Sequence, residues 1–239
     1  MSDQFKYFKD EYIDAIRDNY MIPVFDRVLA DPRCPRGAVL DVGCGNGLFG
    51  RYFKAKTACR LTGIDASPHA LRQAQEAGYD AALLCRDFSA DALPVKDKTA
   101  DLILCKDVLE HLLDPLALLA EMRRALKDNG RLLCLVPNHF TIFGRLKFLF
   151  THNIDTYGFF PGANEWDFPH VRFYTKAGYL AMMRQARFEL ETDFSPLFLH
   201  QVPKIRRLPG YSLLGRVANY VFPSSVATAF VGTFKKIGA

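Results

Sequence analysis

The sequence predicts an α/β fold, in which seven strands and the helices between them form a single domain. Three observations predict it. Short apolar runs alternate with segments of helical periodicity along most of the chain. A glycine-rich turn follows the first apolar run, at the edge where a parallel sheet opens toward its ligands. Seven strands with their helices fit within 239 residues without a second domain.

The first 137 residues contain five predicted strands, each a short apolar run. The unbroken run DLILC is typical of a parallel strand that is buried on both faces. Three helices lie between these strands; Gly78 closes the second, and the third has Asp114 as its N-cap and Pro115 in its first turn. The predicted strands are 38–42, 60–65, 81–85, 101–105 and 131–137, and the helices are 48–55, 68–78 and 115–130.

The two ends of the chain are less regular. An amphipathic helix is predicted within the first 30 residues, with Pro23 interrupting it. Residues 138–170 are rich in aromatic residues, glycine and proline, and the alternation of strand and helix breaks there. It resumes with a helix over 175–187 and strands over 188–194 and 226–236. We therefore expect one domain over 1–239, with an N-terminal helical cap over 1–36 and insertions over 138–174 and 196–225.

Composition is that of a globular protein, with 49% hydrophobic and 24% charged residues. The sequence shows no membrane-spanning run and no secretory signal, which leads us to expect a cytoplasmic protein. Six scattered cysteines lack metal-ligand spacing, so we expect buried thiols and no metal.

Residues 131–239 carry 13 Lys/Arg against 6 Asp/Glu. This excess suits an acidic substrate or an anionic membrane, and equally an ordinary solvated surface.

Residues 39–50 (VLDVGCGNGLFG) fit two glycine templates. The glycines from Gly45 onward satisfy G-x-G-x-x-G, which lays a pyrophosphate on a helix N-terminus. Asp41 with Gly43, Gly45 and Gly47 satisfies D-x-G-x-G-x-G instead. Asp41 separates the two interpretations, because a carboxylate there costs a pyrophosphate on the order of 3 kcal/mol at an effective dielectric of about 20. The same charge favours a ligand that carries ammonium and sulfonium groups.

Four motifs then occur in order: VLDVGCGNG, GIDASPHAL, the block RDF…ALPV…ADLILCKDVLEHLLDP, and GRLLCLVPN. With them, the stretch from about residue 37 to 138 resembles a class I S-adenosylmethionine-dependent methyltransferase of the small-molecule, type 11/12-like branch. The resemblance implies a Rossmann-like seven-stranded sheet, mostly parallel with an antiparallel last strand, and helices on both faces. It also implies S-adenosylmethionine as methyl donor and S-adenosylhomocysteine as product.

The resemblance also assigns cofactor-binding residues at four strand ends. The first motif surrounds the methionine part of the cofactor, Asp65 with Ala66 matches the ribose-binding position, and Asp87 with Phe88 matches the adenine-binding pair. Lys106 matches a position whose backbone lies near the transferred methyl. The predicted cofactor set is Asp41, Gly43, Gly45, Gly47, Asp65, Ala66, Asp87, Phe88 and Lys106.

Methyl transfer from a sulfonium needs alignment, desolvation and in some cases a base for the acceptor proton. His111, His139 and His170 are the candidate bases, ahead of Glu110 and Asp107. His111 could instead shape the turn after the fourth strand, and His139 could be a surface residue. His170, with Arg172, could position an acidic or hydroxylated substrate. Predicted substrate contacts are Arg172, Tyr157 and Trp166, in the insertion that would cover the acceptor; the aromatic residues could equally form a small core of their own.

The predicted acceptor is an oxygen or nitrogen of a small metabolite, a sugar-like compound or a lipid precursor, and not nucleic acid. Two other functions stay open: a catalytically inactive S-adenosylmethionine-binding regulatory protein, and an NAD(P)-dependent oxidoreductase. The only Tyr-x-x-x-Lys, Tyr52 to Lys56, does not suit the oxidoreductase, because it lies in the helix just after the glycine turn.

Residues 139–150 have helical apolar spacing with two basic residues, which indicates either a lid helix or contact with an anionic membrane.

Overall fold

The computed structural model describes residues 19–151, 155, 168–201, 217 and 223–238. Within them, seven strands form one sheet, as the sequence predicts. The sheet order is β3-β2-β1-β4-β5-β7-β6. Strands β1 to β5 are parallel, and β7 lies antiparallel between β5 and β6. The strands are β1 (Ala38–Val42), β2 (Arg60–Asp65), β3 (Ala81–Leu84), β4 (Ala100–Lys106), β5 (Leu126–Pro137), β6 (Phe188–Asp193) and β7 (Ala229–Lys236).

The helices cover both faces of the sheet. Successive strand residues point to opposite faces, so Leu102 and Leu104 enter one apolar core while Ile103 and Cys105 enter the other. The first core includes residues of α1, α2 and α3, and the second includes residues of α4 and α6. The helices are α1 (Ile22–Ala30), α2 (Leu48–Thr57), α3 (Pro68–Glu76), α4 (Pro115–Ala125), α5 (Ile142–Thr151), α6 (Lys176–Gln185) and α7 (Pro223–Val226).

Side-chain caps fix where three of the helices begin. The Ser67 side chain accepts a hydrogen bond from the Ala70 amide, and Asp114 accepts from the amides of Leu116 and Ala117. Thr175 accepts from the Gly178 amide at the start of α6. Each cap satisfies amide groups that have no partner within the helix. The predicted cap at Asp114 is confirmed.

The predicted helix over 115–130 is wrong in its last turn. Helix α4 ends at Ala125, and Leu126 is extended, with φ −75° and ψ 135°. Leu126 pairs with Ala100 and is completely buried. Gly130 packs so closely that a Cβ there would lie 2.7 Å from Leu126 Cδ1. Burial of Leu126 and its pairing with β4 therefore override the local helical pattern.

Two other boundaries differ from prediction. Pro23 lies in the first turn of α1, where its missing N–H costs no hydrogen bond, so in the described part of the chain it starts a helix rather than interrupts one. Strand β7 begins at Ala229 instead of residue 226, because α7 occupies 223–226. The predicted cap over 1–36 and the insertions over 138–174 and 196–225 extend into residues outside the described ranges, and these divisions stay predictions.

All six cysteines are buried and none forms a disulfide, which confirms their predicted place in the core.

Helix α5 differs from the other helices because most of its apolar side chains face outward. Only Gly144 is buried, and the exposed fraction reaches 79% at Phe150. Among the described residues, no helix is both long enough and apolar enough to cross a membrane.

Candidate functional site

The glycine turn lies at the carboxyl edge of the sheet, directly after β1. Strand β1 pairs with β2 on one side and β4 on the other, so the turn lies where the strand order reverses. Gly43 and Gly47 have φ of +73° and +76°, a conformation that glycine adopts most readily. A Cβ on Gly43 would lie 2.2 Å from Val108 Cγ2, so the turn also packs tightly against the segment after β4. Gly47 is the N-cap of α2.

Asp41 lies beneath this turn and not on its open side. The residue is only 4% exposed, and its Oδ2 accepts a hydrogen bond of 2.5 Å from the Tyr79 hydroxyl. Gly50 approaches so closely that a Cβ there would lie 2.8 Å from the same oxygen. Burial raises the pKa of Asp41 to about 6, although the Tyr79 hydrogen bond acts in the opposite direction. The carboxylate therefore anchors the turn, and its charge acts on the crevice from below.

Asp65 closes β2 and ties the glycine turn to the neighbouring strand. Its Oδ2 accepts from the Gly45 amide at 2.9 Å, and its Oδ1 accepts from the Ser67 amide at 2.9 Å. Burial raises the pKa of Asp65, and these backbone donors oppose the rise. Each carboxylate oxygen has two lone pairs, so both oxygens can accept a further bond from ribose hydroxyls. Ala66 follows on the same edge and is partly buried against the core.

Asp87 and Phe88 follow β3 at the same edge of the sheet. The Asp87 amide donates to Asp91 Oδ2 at 3.0 Å, while Asp87 Oδ1 accepts from the Ser89 amide at 2.8 Å. These bonds form a compact turn in the loop between β3 and β4. The Phe88 ring is buried in the core, beside Leu93 in the same apolar cluster. The predicted adenine contact of this pair stays a prediction.

Lys106 ends β4, and its ammonium group lies in a partly buried assembly that no sequence motif predicts. Its Nζ lies 2.8 Å from Asp107 Oδ2, 3.1 Å from the Tyr20 hydroxyl and 4.0 Å from the centre of the Phe49 ring. The Tyr20 hydroxyl also donates to Asp107 Oδ2. Burial acts to lower the pKa of Lys106, but Asp107 and Tyr20 outweigh it and the pKa is raised. Tyr20 comes from the N-terminal region, and no sequence motif marked it.

The structure brings the three candidate histidines together. His139 Nε2 lies 2.7 Å from His170 Nδ1, and the ring centres of His111 and His170 are 4.7 Å apart. His111 Nδ1 lies 3.0 Å from the carbonyl oxygen of Pro169. Burial lowers the pKa to about 4 for His111 and His139 and to about 2 for His170. All three imidazoles are therefore neutral near pH 7, and their predicted role as bases stays a prediction.

Glu110 lies in the same cluster. It is completely buried, and among the described residues neither carboxylate oxygen has a hydrogen-bond partner. Its backbone carbonyl accepts from the amides of Val171 and Arg172 at 2.9 and 3.0 Å, which holds the segment after residue 168 against the turn that follows β4. Burial raises the pKa of Glu110 strongly. From the sequence, Glu110 is a weaker candidate base than the histidines.

The predicted substrate contacts lie in two places. The Arg172 guanidinium donates to the carbonyl oxygens of Leu112 and Leu113, so it fixes the turn after β4. Tyr157 and Trp166 lie outside the described residues. A contact of these three side chains with substrate stays a prediction.

Comparison with known proteins identifies the fold and the motifs. Residues 40–134 match the family model described as a methyltransferase domain. This stretch runs from β1 to β5 and contains the glycine turn, Asp65, Asp87 and Lys106. Residues 40–134 thus belong to a methyltransferase domain of the class I S-adenosylmethionine-dependent type. The resemblance seen in the four sequence motifs is thereby confirmed.

Curated relatives of this methyltransferase domain include a ubiquinone biosynthesis O-methyltransferase of Cereibacter sphaeroides, which is 35% identical over 119 residues. That alignment covers 48% of the chain and 47% of the relative, so the chain spans about half the length of the curated relatives it matches.

Two solved structures share the fold across most of the chain. The S-adenosylmethionine-dependent methyltransferase of Mesorhizobium loti has a TM-score of 0.60 at 17% identity, covering 94% of this chain and 100% of its own. The 1,6-didemethyltoxoflavin-N1-methyltransferase of Burkholderia thailandensis, solved with S-adenosylhomocysteine, has a TM-score of 0.56 at 20% identity, covering 92% of this chain and 79% of its own.

The residues of this edge fit S-adenosylmethionine. Carboxylates lie at or just after the ends of the four neighbouring strands β1 to β4, at Asp41, Asp65, Asp87 and Asp107. The basic residues at these strand ends are Arg86 and Lys106, so acidic residues outnumber basic ones. A predominantly negative edge favours a ligand with ammonium and sulfonium charges over a diphosphate. Asp65 retains the lone pairs that ribose hydroxyls need. The charges and hydrogen-bond acceptors of this edge thus agree with S-adenosylmethionine, the cofactor of the family.

Proposed function

We propose that this protein transfers the methyl group of S-adenosylmethionine to a hydroxyl oxygen of a small, apolar acceptor. The observation that carries the proposal is Asp65, which the Gly45 and Ser67 amides fix at the open edge of the sheet beside the glycine turn. When bound, the cofactor supplies a methyl group on an already activated leaving group. The protein then has to bind, align and desolvate the two reactants.

The proposed roles follow from the position of each group. The Asp65 carboxylate accepts the ribose hydroxyls, and the turn from Gly43 to Gly47 lets the backbone approach the amino-acid portion. Asp41 holds this turn from below through Tyr79. The loop at Asp87 and Phe88 borders the adenine.

Lys106 is placed to orient the acceptor oxygen. An ammonium group has three N–H donors, and within the described structure Asp107 and Tyr20 take two of them. We assign the third to the acceptor oxygen, where the positive charge favours the deprotonated hydroxyl. A hydroxyl with a low intrinsic pKa, such as that of a phenol, gains most from this arrangement. The O-methyltransferase named among the relatives supports the same acceptor atom.

The function is tested by calorimetry with S-adenosylmethionine, followed by a labelled-methyl assay on hydroxylated aromatic compounds, with and without a lipid tail. We expect micromolar binding of the cofactor and transfer to at least one phenol. Binding without transfer to any acceptor favours the regulatory S-adenosylmethionine-binding protein instead. Binding of NAD or NADP in place of S-adenosylmethionine contradicts the proposal altogether.

We also propose that α5 contacts an anionic membrane surface, from which a lipid-like acceptor would enter. The helix contains Arg145 and Lys147 and no acidic residue, and a basic, apolar helix suits an anionic lipid interface. Its exposed apolar side chains are Ile142, Phe143, Leu146, Phe148, Leu149 and Phe150. A lid packed through these side chains would bury them.

Sedimentation with phosphatidylglycerol vesicles tests this contact. We expect binding that weakens with salt, and loss of binding in the double variant Leu149→Glu/Phe150→Glu. The matched control is Ile22→Glu, which alters an exposed apolar residue of α1. Equal binding of the double variant and the control would reject a membrane role for α5.

A further inference from the structure

The carboxylate of Glu110 is the least satisfied buried group in the described structure. It is completely buried, yet neither oxygen has a hydrogen-bond partner among the described residues. A carboxylate in that position is costly unless a proton or a cation neutralises it. Lysine or arginine side chains pair with other acidic residues, such as Asp101 and Glu191, but no such pair within the described residues includes Glu110. A cation at a place next to this side chain would supply the missing positive charge.

Three side chains around that place have metal-ligating atoms. Ligand atoms of Glu110, His111 and His170 all lie within 4.8 Å of one another. Glu110 and His111 come from the turn after β4, and His170 comes from the segment that packs on this turn. A tetrahedral zinc site, with bonds of about 2.0–2.1 Å, needs ligand atoms roughly 3.4 Å apart. The separation of any two ligand atoms therefore exceeds this value by at most about 1.4 Å.

The hydrogen bonds of the histidines match what metal ligands require. His111 Nδ1 lies 3.0 Å from the Pro169 carbonyl oxygen, which only accepts, so Nδ1 carries the proton and Nε2 keeps its lone pair. His170 Nδ1 lies 2.7 Å from His139 Nε2. With the proton on His170 Nδ1, this bond orients the ring and leaves His170 Nε2 as a ligand. Metal-bound histidines are commonly held in this way by a partner on the other ring nitrogen.

We propose that Glu110, His111 and His170 bind one divalent transition-metal ion, with His139 orienting His170. Two imidazole nitrogens and one carboxylate suit Zn²⁺ or Co²⁺ and not Mg²⁺ or Ca²⁺, which prefer oxygen ligands. Three protein ligands leave a fourth position for water or another oxygen. The ion would join the turn after β4 to the segment after residue 168. These segments also contact through the backbone bonds from Val171 and Arg172 to Glu110 and through the Arg172 guanidinium. Such a site differs from the sequence-based expectation of no metal, which rested on the spacing of the cysteines.

Metal binding is measured directly on the full 239-residue chain, without reference to methyl transfer. The protein is stripped with chelator and titrated with Zn²⁺ and with Co²⁺, using elemental analysis after dialysis and the visible absorption of tetrahedral cobalt. We expect one equivalent per chain and a rise in the thermal midpoint with zinc. Fewer than about 0.1 equivalents of zinc in the wild type, or cobalt spectra typical of the free aqueous ion, would overturn the proposal.

Variants locate the site. Glu110→Gln keeps the shape and removes the charge, so it should fold in chelator at least as well as the wild type and bind zinc at least tenfold more weakly. His170→Gln should show the same loss of zinc affinity. If Glu110→Gln fails to fold, the zinc affinity of His170→Gln tests the assignment instead. The control His69→Gln changes a histidine on α3, outside the cluster, and should bind like the wild type. Equal affinity of the wild type and both cluster variants would reject the assignment. Since no step involves S-adenosylmethionine, failure here leaves the proposed methyl transfer untouched.

Discussion

Replacement of Asp65 by Asn tests the most specific part of the cofactor assignment. The substitution keeps the size of the side chain but turns one carboxylate oxygen into an N–H donor. Both oxygens face backbone donors, the Gly45 and Ser67 amides at 2.9 Å, so an amide side chain can satisfy only one of them. The other position places two donors against each other and presents no acceptor to the ribose. The charge that strengthens the remaining bond is lost as well.

The magnitude follows from these contacts. A hydrogen bond to a charged group contributes about 1.5–3 kcal/mol, and one such bond to the ribose is lost. We therefore expect S-adenosylmethionine to bind the Asp65→Asn variant roughly tenfold to 150-fold more weakly. Isothermal titration calorimetry measures this at constant pH and salt. A thermal melt of the ligand-free variant separates the binding loss from any loosening of the glycine turn.

The control is Asp128→Asn, which removes an equal charge at the amino-terminal edge of the sheet, opposite the glycine turn. Asp128 pairs with Lys98 at 2.8 Å and is 46% exposed, so its loss should change neither the turn nor the affinity. An affinity of Asp65→Asn within twofold of the wild type would refute the placement of the ribose at this carboxylate.

Two further predictions concern the glycine turn and the acid below it. Because the pKa of Asp41 is about 6 in the folded protein and lower when unfolded, the folded state binds the extra proton. The contribution of Asp41 to the free energy of unfolding should therefore rise by about 2 kcal/mol as pH falls from 7 to 4. Urea unfolding at several pH values should show a smaller rise in Asp41→Asn, and identical pH dependence would contradict the burial argument. Gly43→Ala should lower the free energy of unfolding by more than about 2 kcal/mol, because its Cβ would lie 2.2 Å from Val108 Cγ2. Gly78→Ala is the control, since it also has positive φ but no atom within 4 Å of its Cβ, and equal losses would show that the contact with Val108 is unimportant.

The histidine cluster shows why function cannot be assigned to these residues one at a time. Each histidine alone suits a base, yet together they are neutral and partly or fully buried beside Glu110. A buried neutral imidazole is a weak base and a good metal ligand. In our proposal, Lys106, which Tyr20 and Asp107 position, orients the acceptor oxygen in place of the histidines. The two proposals assign different residues to acceptor orientation and to metal binding, and their experiments are independent.

Local sequence patterns determined the fold and most of the cofactor edge. Apolar periodicity separates strands from helices because strand and helix bury side chains with different repeats. The carboxyl ends of parallel strands share one edge, which is why Asp41, Asp65, Asp87 and Lys106 could be placed together without coordinates. Capping at Asp114 was equally local.

Tertiary structure decided everything that depends on contact between distant segments. The sequence placed Asp41 against the ligand, while packing of Tyr79 and Gly50 puts it under the turn. Leu126 leaves its helix because β4 offers it a buried position. His111, His139 and His170 meet only because the segment after residue 168 folds back on the turn after β4. Such contacts arise from strand order and side-chain packing, which act between residues far apart in sequence and leave no periodic signal within either segment.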